Sequence, residues 1–213
     1  MDNPQYNFYE FLSYILPGCT LLGVITYSLS KLNVGISQYL GLLTSWWGIF
    51  TFVAIAFAIG HLLQGISNPV ETIIYKLKWK GYPSEKLLRE DDSHFSREYK
   101  ELLLRKISGV FKLSEKARPQ ELFYSCYLFL IQKGVGRRIE RFLAMHGFYR
   151  GMMVACGIST VLFFVLFLGR KEIHWVIATI VFLFCAIIFY RRFLRFSIRF
   201  ADAVYREFFV YNL

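Results

Sequence analysis

Apolar positions run almost unbroken through four stretches of this chain. Between the second and third they give way to a periodic, charge-bearing pattern. The stretches are about Phe8–Ser30, Leu43–Ile66, Gly151–Leu168 and Ile173–Tyr190. A hydrocarbon core about 30 Å thick takes about 20 helical residues to cross, so each stretch predicts a membrane span. Glu10, at its edge, is the only charge in the first, and His61 is the only titratable group in the second. The third and fourth hold no Asp, Glu, Lys or Arg. Gly169–Glu172 alone joins those two, which predicts an antiparallel hairpin.

In the intervening segment the spacing turns helical. Pro69–Lys80 predicts a short amphipathic helix with Val70, Ile73, Ile74 and Leu77 on one face and Lys76, Lys78 and Lys80 around Trp79. Asn68-Pro69 marks where the second helix leaves the membrane or restarts. Gly81-Tyr82-Pro83-Ser84 is turn chemistry. Ser96–Phe111 reads as a helix carrying Tyr99, Leu102, Leu103, Lys106 and Ile107 at helical period. Glu121–Gln132 reads as another, with Phe123, Tyr124, Tyr127, Leu128 and Ile131, too short to span. Arg137–Arg150 is expected to run unbroken into the third span. After the fourth span, Arg191, Arg195 and Arg199 share one helical face and Phe193, Phe196, Phe200 and Val204 another. That helix suits an anionic leaflet or the cytoplasmic segment equally. No strand pattern stands out. The fold class is therefore an all-α integral membrane protein with four transmembrane helices. A small helical cytoplasmic domain lies between the second and third, and an extended C-terminal helix follows the fourth. The expected divisions are 1–66, a first transmembrane pair; 67–146, the cytoplasmic domain; 147–190, a second transmembrane hairpin; and 191–213, a basic cytoplasmic helix.

Charge gives this arrangement a direction. The chain has 213 residues, 19% of them charged, against about 25% in an average soluble domain. Residues 67–150 concentrate 17 Lys and Arg with 10 Asp and Glu. That unevenness excludes a uniform soluble globule, and the abundance of Phe, Leu and Ile excludes disorder. Four cysteines in no paired spacing exclude a disulfide scaffold and read as reduced, buried groups. Basic loops stay on the cytoplasmic side. With four spans, one side carries 22 Lys and Arg and the other only Lys31, Arg170 and Lys171. Both termini are therefore expected in the cytoplasm. The first span reads as retained, because Met1–Tyr6 holds Asp2 and no basic residue, unlike a signal peptide.

The chemistry is less legible. No nucleophile elbow, P-loop, zinc helix or CxxC pair is present, and His61, His94, His146 and His174 are scattered. The expectation is no enzyme, no catalytic residue, no metal and no cofactor. A membrane enzyme would gain support if His61, Glu10 and Arg150 converged. Pro17 breaks the first span, and the carbonyl it frees needs a partner. On the same helix Ser13, Thr20, Tyr27 and Ser30 recur at about helical spacing. Ser13, Pro17, Thr20 and Tyr27, with His61, are the gate and pore candidates. For Pro17 the readings are a hinge or pore constriction, or a static kink, and for the polar face interhelical hydrogen bonds are the plainer account. His61 and Gln64, near the end of the second span, read as a gate or pH-sensitive contact, or as a polar pair hydrogen-bonded to a neighbouring helix. Gly147, Gly151, Ala155 and Ser159 step by four and predict a close helix contact, within or between subunits. Lys133-Gly134-Val135-Gly136-Arg137-Arg138, with Arg141, places cations at a helix start that suits an anion. A solvated loop obeying the charge rule explains the same residues.

Phe8-Tyr9-Glu10-Phe11-Leu12-Ser13-Tyr14-Ile15-Leu16-Pro17-Gly18 resembles the opening of small bacterial multi-pass membrane proteins of antiphage defence systems. Ala58-Ile59-Gly60-His61-Leu62-Leu63 and Phe148-Tyr149-Arg150-Gly151 are similar as well. The transmembrane effector of the Hailong type is the nearest comparison, and the Kiwa-type transmembrane component is another. The resemblance implies a homo-oligomer in the bacterial inner membrane, a tetramer favoured, with a cytoplasmic portion that senses a partner or ligand. It carries over no catalytic residues. The expected function is an oligomeric channel or permeabiliser controlled by an anionic ligand, such as a nucleotide or oligonucleotide, or by a cytosolic protein. The alternative is a non-conducting anchor that recruits such a protein.

Overall fold

The computed structural model describes residues 4–32, 45–112 and 117–211, with side chains from Phe11 onward apart from Leu12. The described residues form helices and no strand. They are α1 (Pro4–Lys31), α2 (Trp46–Trp79), α3 (Pro83–Leu88), α4 (Arg97–Phe111), α5 (Pro119–Gln132), α6 (Arg137–Arg170) and α7 (Ile173–Val210). Four of them, α1, α2, α6 and α7, are long and apolar enough to cross a membrane. Leu43 and Thr44, at the expected start of the second span, lie outside the described residues.

Local chemistry sets several boundaries. Pro83 and Pro119 open α3 and α5, where a missing N–H costs nothing. Glu85 and Glu121 reach back to accept from the backbone N–H of Tyr82 (3.0 Å) and Arg118 (3.1 Å). The Ser96 hydroxyl oxygen accepts from the Tyr99 N–H at 3.2 Å and caps α4. Pro69 neither ends nor restarts its helix: α2 runs through it. Only the bond that residue 69 would have given the carbonyl of Gly65 is lost. α6 likewise runs from the charged segment into the apolar one without a break.

The chain divides into two compact units. The first is Met1–Pro69 with Ala144–Phe193, and the second is Val70–Leu143 with Leu194–Leu213.

The first unit is held by helix-on-helix contacts. Between α6 and α7, Phe163 meets Trp175 and Phe182, Phe148 meets Phe189, and His146 meets Phe193, with ring centroids 5.0 to 6.2 Å apart. The partners ascend one helix as they descend the other, which is the expected antiparallel hairpin. α1 and α2 cross at two glycines. A Cβ on Gly18 would sit 1.8 Å from the Ala56 carbonyl oxygen, and one on Gly60 would sit 2.0 Å from that of Tyr14. Ala155 and Ser159 of the small-residue row are fully buried. Large apolar side chains point outward instead: Phe50 and Leu62 on α2, Val161 and Leu168 on α6, Ile173, Ile180 and Phe184 on α7.

The second unit has an apolar core of its own. Leu87, Leu103, Ile107, Leu130, Ile139, Val204 and Phe208 are each fully buried there. The C-terminal part of α7 supplies one wall of it, so the placement that the sequence left open is packing, with Phe196 and Val204 buried and Arg195 and Arg199 exposed. Phe208 stacks on Phe111 at 5.5 Å and meets Phe129 edge-on at 5.7 Å. Lys106 Nζ donates to the carbonyls of Phe209 (2.9 Å) and Tyr211 (2.6 Å), capping the helix end. One face differs from the periodicity reading. α5 buries Leu122, Phe123, Cys126 and Leu130 and exposes Tyr124 and Leu128, a rotation of about one position. Ile73 and Leu77, on the amphipathic part of α2, are exposed. Cys126 is inert as a nucleophile, since burial pushes its thiol up to about 12.

A charged strap holds the loop before α4 in this unit. Lys86 pairs with Asp92, and the buried Lys100 donates to the carbonyls of Arg89 and Asp92, each at 2.5 Å. His94 Nε2 lies 2.8 Å from Asp202 Oδ1, which also accepts from Arg206 at 2.7 Å. Burial works to raise the Asp92 carboxyl, but the Lys86 hydrogen bond, the His94 backbone N–H and the charges of Lys86 and Lys100 outweigh it and hold the carboxyl below its ordinary value. A carboxyl depressed by folding stabilises above its unfolded value, and that contribution is lost as pH falls through the folded one. We expect the second unit to lose stability as pH drops below about 4, the ordinary carboxylate range. Asp92→Asn should flatten that acid limb in thermal melts across pH 3 to 7 while lowering stability at neutral pH.

Candidate functional site

The most structured polar site lies where α1, α2 and α6 meet inside the first unit. α2 brings Phe57, Gly60, His61 and Gln64 to one face, spaced for a single helical stripe. Gln64 is the hub. Its Nε2 donates to the Gly147 carbonyl on α6 at 3.0 Å and, over a longer 3.4 Å, to the Ser13 carbonyl on α1. Its Oε1 accepts from Arg150 through Nη2 at 2.6 Å and Nε at 3.3 Å. A guanidinium only donates and a carbonyl only accepts, so the carboxamide has one orientation that satisfies all of them. The Ser67 hydroxyl donates to the Gln64 backbone carbonyl at 2.9 Å one turn on.

Glycines make the junction possible. A Cβ on Gly151 would lie 3.0 Å from Pro17 Cγ and 3.2 Å from Gln64 Nε2. With Gly147 it forms the near end of the small-residue row, so the structure assigns that close contact to α6 against α1 and α2 of the same chain.

The expected gate and pore residues separate into different surroundings. Ser13 and the fully buried Pro17 belong to the junction. The Thr20 hydroxyl donates back to the Leu16 carbonyl at 2.8 Å and lies 3.8 Å from Met152 Sδ on α6. Tyr27 sits toward the far end, 46% exposed, its ring 6.0 Å from Trp175. His61 is exposed, stacked on Tyr14 at 4.1 Å and edge-on to Phe57 at 4.5 Å. The structure therefore joins Ser13 and Pro17, leaves Tyr27 apart, and puts His61 in an aromatic group beside the junction. Arg150 goes to Gln64, and the side chain of Glu10 lies outside the described residues. The expected hydrogen bond from the His61–Gln64 pair to a neighbouring helix is made by Gln64. What sequence reasoning missed is that Gln64 reaches two helices at once, and that one of its acceptors is the carbonyl four positions before Pro17.

The expected anion-binding residues belong to the second unit. Gly134, at φ +69°, reverses the chain after α5, and its N–H reaches the Ile131 carbonyl at 3.0 Å. Lys133, Arg137, Arg138 and Arg141 are all exposed around this turn and the first turn of α6. Lys133 lies over the Phe129 ring at 5.6 Å and Arg138 over Phe142 at 5.6 Å. Glu207 on α7 adds an opposing charge. Burial raises its carboxyl and Arg138 works to lower it, so an anion at this turn would meet Arg138 with an acid already in its field. Among the described residues no group of His, Cys, Asp or Glu has the makings of a metal site.

Comparison with protein-family models, with curated proteins and with solved structures finds no match to this chain. The likeness to antiphage membrane effectors therefore rests on the three quoted sequence motifs.

Proposed function

We propose that the chain is a four-span protein of the bacterial inner membrane and acts there as an oligomeric effector, a channel or permeabiliser. Its second unit and both termini lie in the cytoplasm. The observation that carries this reading is the outer surface of the first unit. Phe50, Leu62, Val161, Phe184 and Ile187 are exposed there on helices whose apolar stretches hold no charge. Water would oppose such a surface, while hydrocarbon accepts it. The 22-to-3 division of basic residues supports this orientation.

Four helices that pack on one another as closely as α1, α2 and α6 do are too few to enclose a pathway, so conduction would run between subunits. Control would come from the second unit, where Lys133, Arg137, Arg138 and Arg141 form the surface for a nucleotide, an oligonucleotide or an acidic partner. The role in antiphage defence follows from the resemblance. The second reading, a non-conducting anchor for a cytosolic protein, draws on the exposed Tyr124 and Leu128 of α5, which would suit a protein partner.

Planar bilayers separate the two. We expect the purified protein to conduct when short oligonucleotides or nucleotides reach the side bearing residues 70–143, and its expression to depolarise cells when its trigger is present. Silence with all of these, together with a stoichiometric soluble protein in the purified complex, would replace the channel with the anchor.

A further inference from the structure

The proline break in α1 and the Gln64 side chain meet at one atom. In an unbroken helix residue 17 would donate its N–H to the carbonyl of residue 13. Proline has no N–H, so residue 17 gives the Ser13 carbonyl no backbone hydrogen bond. That is the α1 carbonyl to which Gln64 Nε2 donates. The second proton of the same amide goes to Gly147 of α6, and Arg150, also of α6, holds the oxygen end. One side chain of α2 thus supplies α1 with a hydrogen bond that its own backbone cannot make, and α6 sets its aim.

We infer that Gln64 is a releasable substitute for the missing backbone bond, a latch that holds a hinge in α1 closed. A backbone N–H lets go only when its helix unwinds, whereas a side-chain amide lets go by a rotamer change. The Ser13 contact is the longer of the two that Nε2 makes, so it is the arm that yields first. Gly151 leaves room for both the proline ring and the amide, and any larger residue there would push against Pro17 or Gln64. The closed state of α1 depends in this way on α2 and α6, and a shift of α6 that draws Arg150 away also withdraws the latch. The hinge and its latch stand whether or not the molecule conducts.

The test is a double-mutant cycle read by amide hydrogen exchange along α1 in the full-length protein in nanodiscs. Gln64→Leu should speed exchange at residues 14–21 roughly fivefold, the weight of about one net hydrogen bond. Pro17→Ala returns a backbone donor to the Ser13 carbonyl, so in that background Gln64→Leu should change exchange less than twofold. Gln64→Glu keeps an acceptor for Arg150 and loses both donors, and it should repeat the pattern. It carries the cycle if the leucine variant does not fold. Equal effects of the Gln64 substitution in the parent and in the Pro17→Ala background would overturn the latch, because Gln64 would then act through α6 alone. So would a Gln64→Glu protein whose α1 exchange matches the parent.

Discussion

Alanine at Gly60 should unfold the first unit while leaving the second folded. The added Cβ would lie 2.0 Å from the Tyr14 carbonyl oxygen and 2.6 Å from its carbonyl carbon, both backbone atoms. No rotamer relieves a clash of backbone with Cβ, so α1 and α2 must separate by more than an ångström. Overpacking usually costs about 1–3 kcal/mol, and this contact belongs at or above the top of that range because neither partner can turn aside. Gly18→Ala, facing the Ala56 carbonyl, should behave the same way. Gly157→Ala is the control, since a Cβ there meets nothing within 4 Å. It should be neutral or stabilising by up to about 1 kcal/mol through helix propensity. Detergent-solubilised yield and the first thermal transition read both outcomes. A Gly60→Ala protein that melts like the parent would mean that the two helices do not cross there.

The second large effect belongs to Phe208. It is fully buried, stacked on Phe111, edge-on to Phe129, and 5.9 Å from the Lys106 ammonium. Phe208→Ala should cost about 3–5 kcal/mol by the usual scale for a buried phenylalanine. The loss falls on the second unit: α7 would give up its anchor on α4 and α5, and Lys106 its stacked ring. Limited proteolysis should then release fragments from residues 97–132 while the apolar helices stay protected. Leu128→Ala on the exposed face of α5 should leave the proteolysis pattern unchanged. If both variants were cut alike, the buried face of α5 would be misassigned.

Much of the architecture could be read directly from residues. The four apolar helices announce themselves by length, and the α6–α7 hairpin follows from a connection too short for anything else. The helices expected over Ser96–Phe111 and Glu121–Gln132 lie within two residues of α4 and α5, because Ser96 caps one and Pro119 opens the other. α3 was read only as the turn around Pro83, being too short to show a period. Faces were less legible. α5 holds Phe123, Tyr124, Tyr127, Leu128, Leu130 and Ile131 nearly all round, so periodicity alone leaves its buried side uncertain by a residue, and packing against Tyr205 and Phe200 chose it. Pro69 reads as a boundary locally, yet one lost hydrogen bond was too little to end α2. The site was half legible. Pro17 demanded a partner, but nothing local in sequence says that the partner stands 51 positions away at Gln64. Nor does it say that Arg150 turns toward that amide. The cations from Lys133 to Arg141 were found easily, while the opposing Glu207 lies near the other end of the sequence and is brought back only by the fold of α7.

The α1–α2 crossing has a consequence beyond the space it saves. Where a Cβ would point at Gly18 and Gly60, each glycine carries a hydrogen aimed at the other helix's carbonyl oxygen. Contacts of this Cα–H to oxygen type are worth about 0.5–1 kcal/mol each. Here there are two, running in opposite directions across the same crossing, so a slide in either sense stretches one of them. The main chain thereby adds its own hold on the register of the two helices to that of the Gln64 and His61 side chains. Such a seam keeps its strength in hydrocarbon, where apolar side chains gain little by leaving lipid for one another. On α1 its two points, Tyr14 and Gly18, lie on either side of Pro17, so the seam braces the proline kink itself against α2.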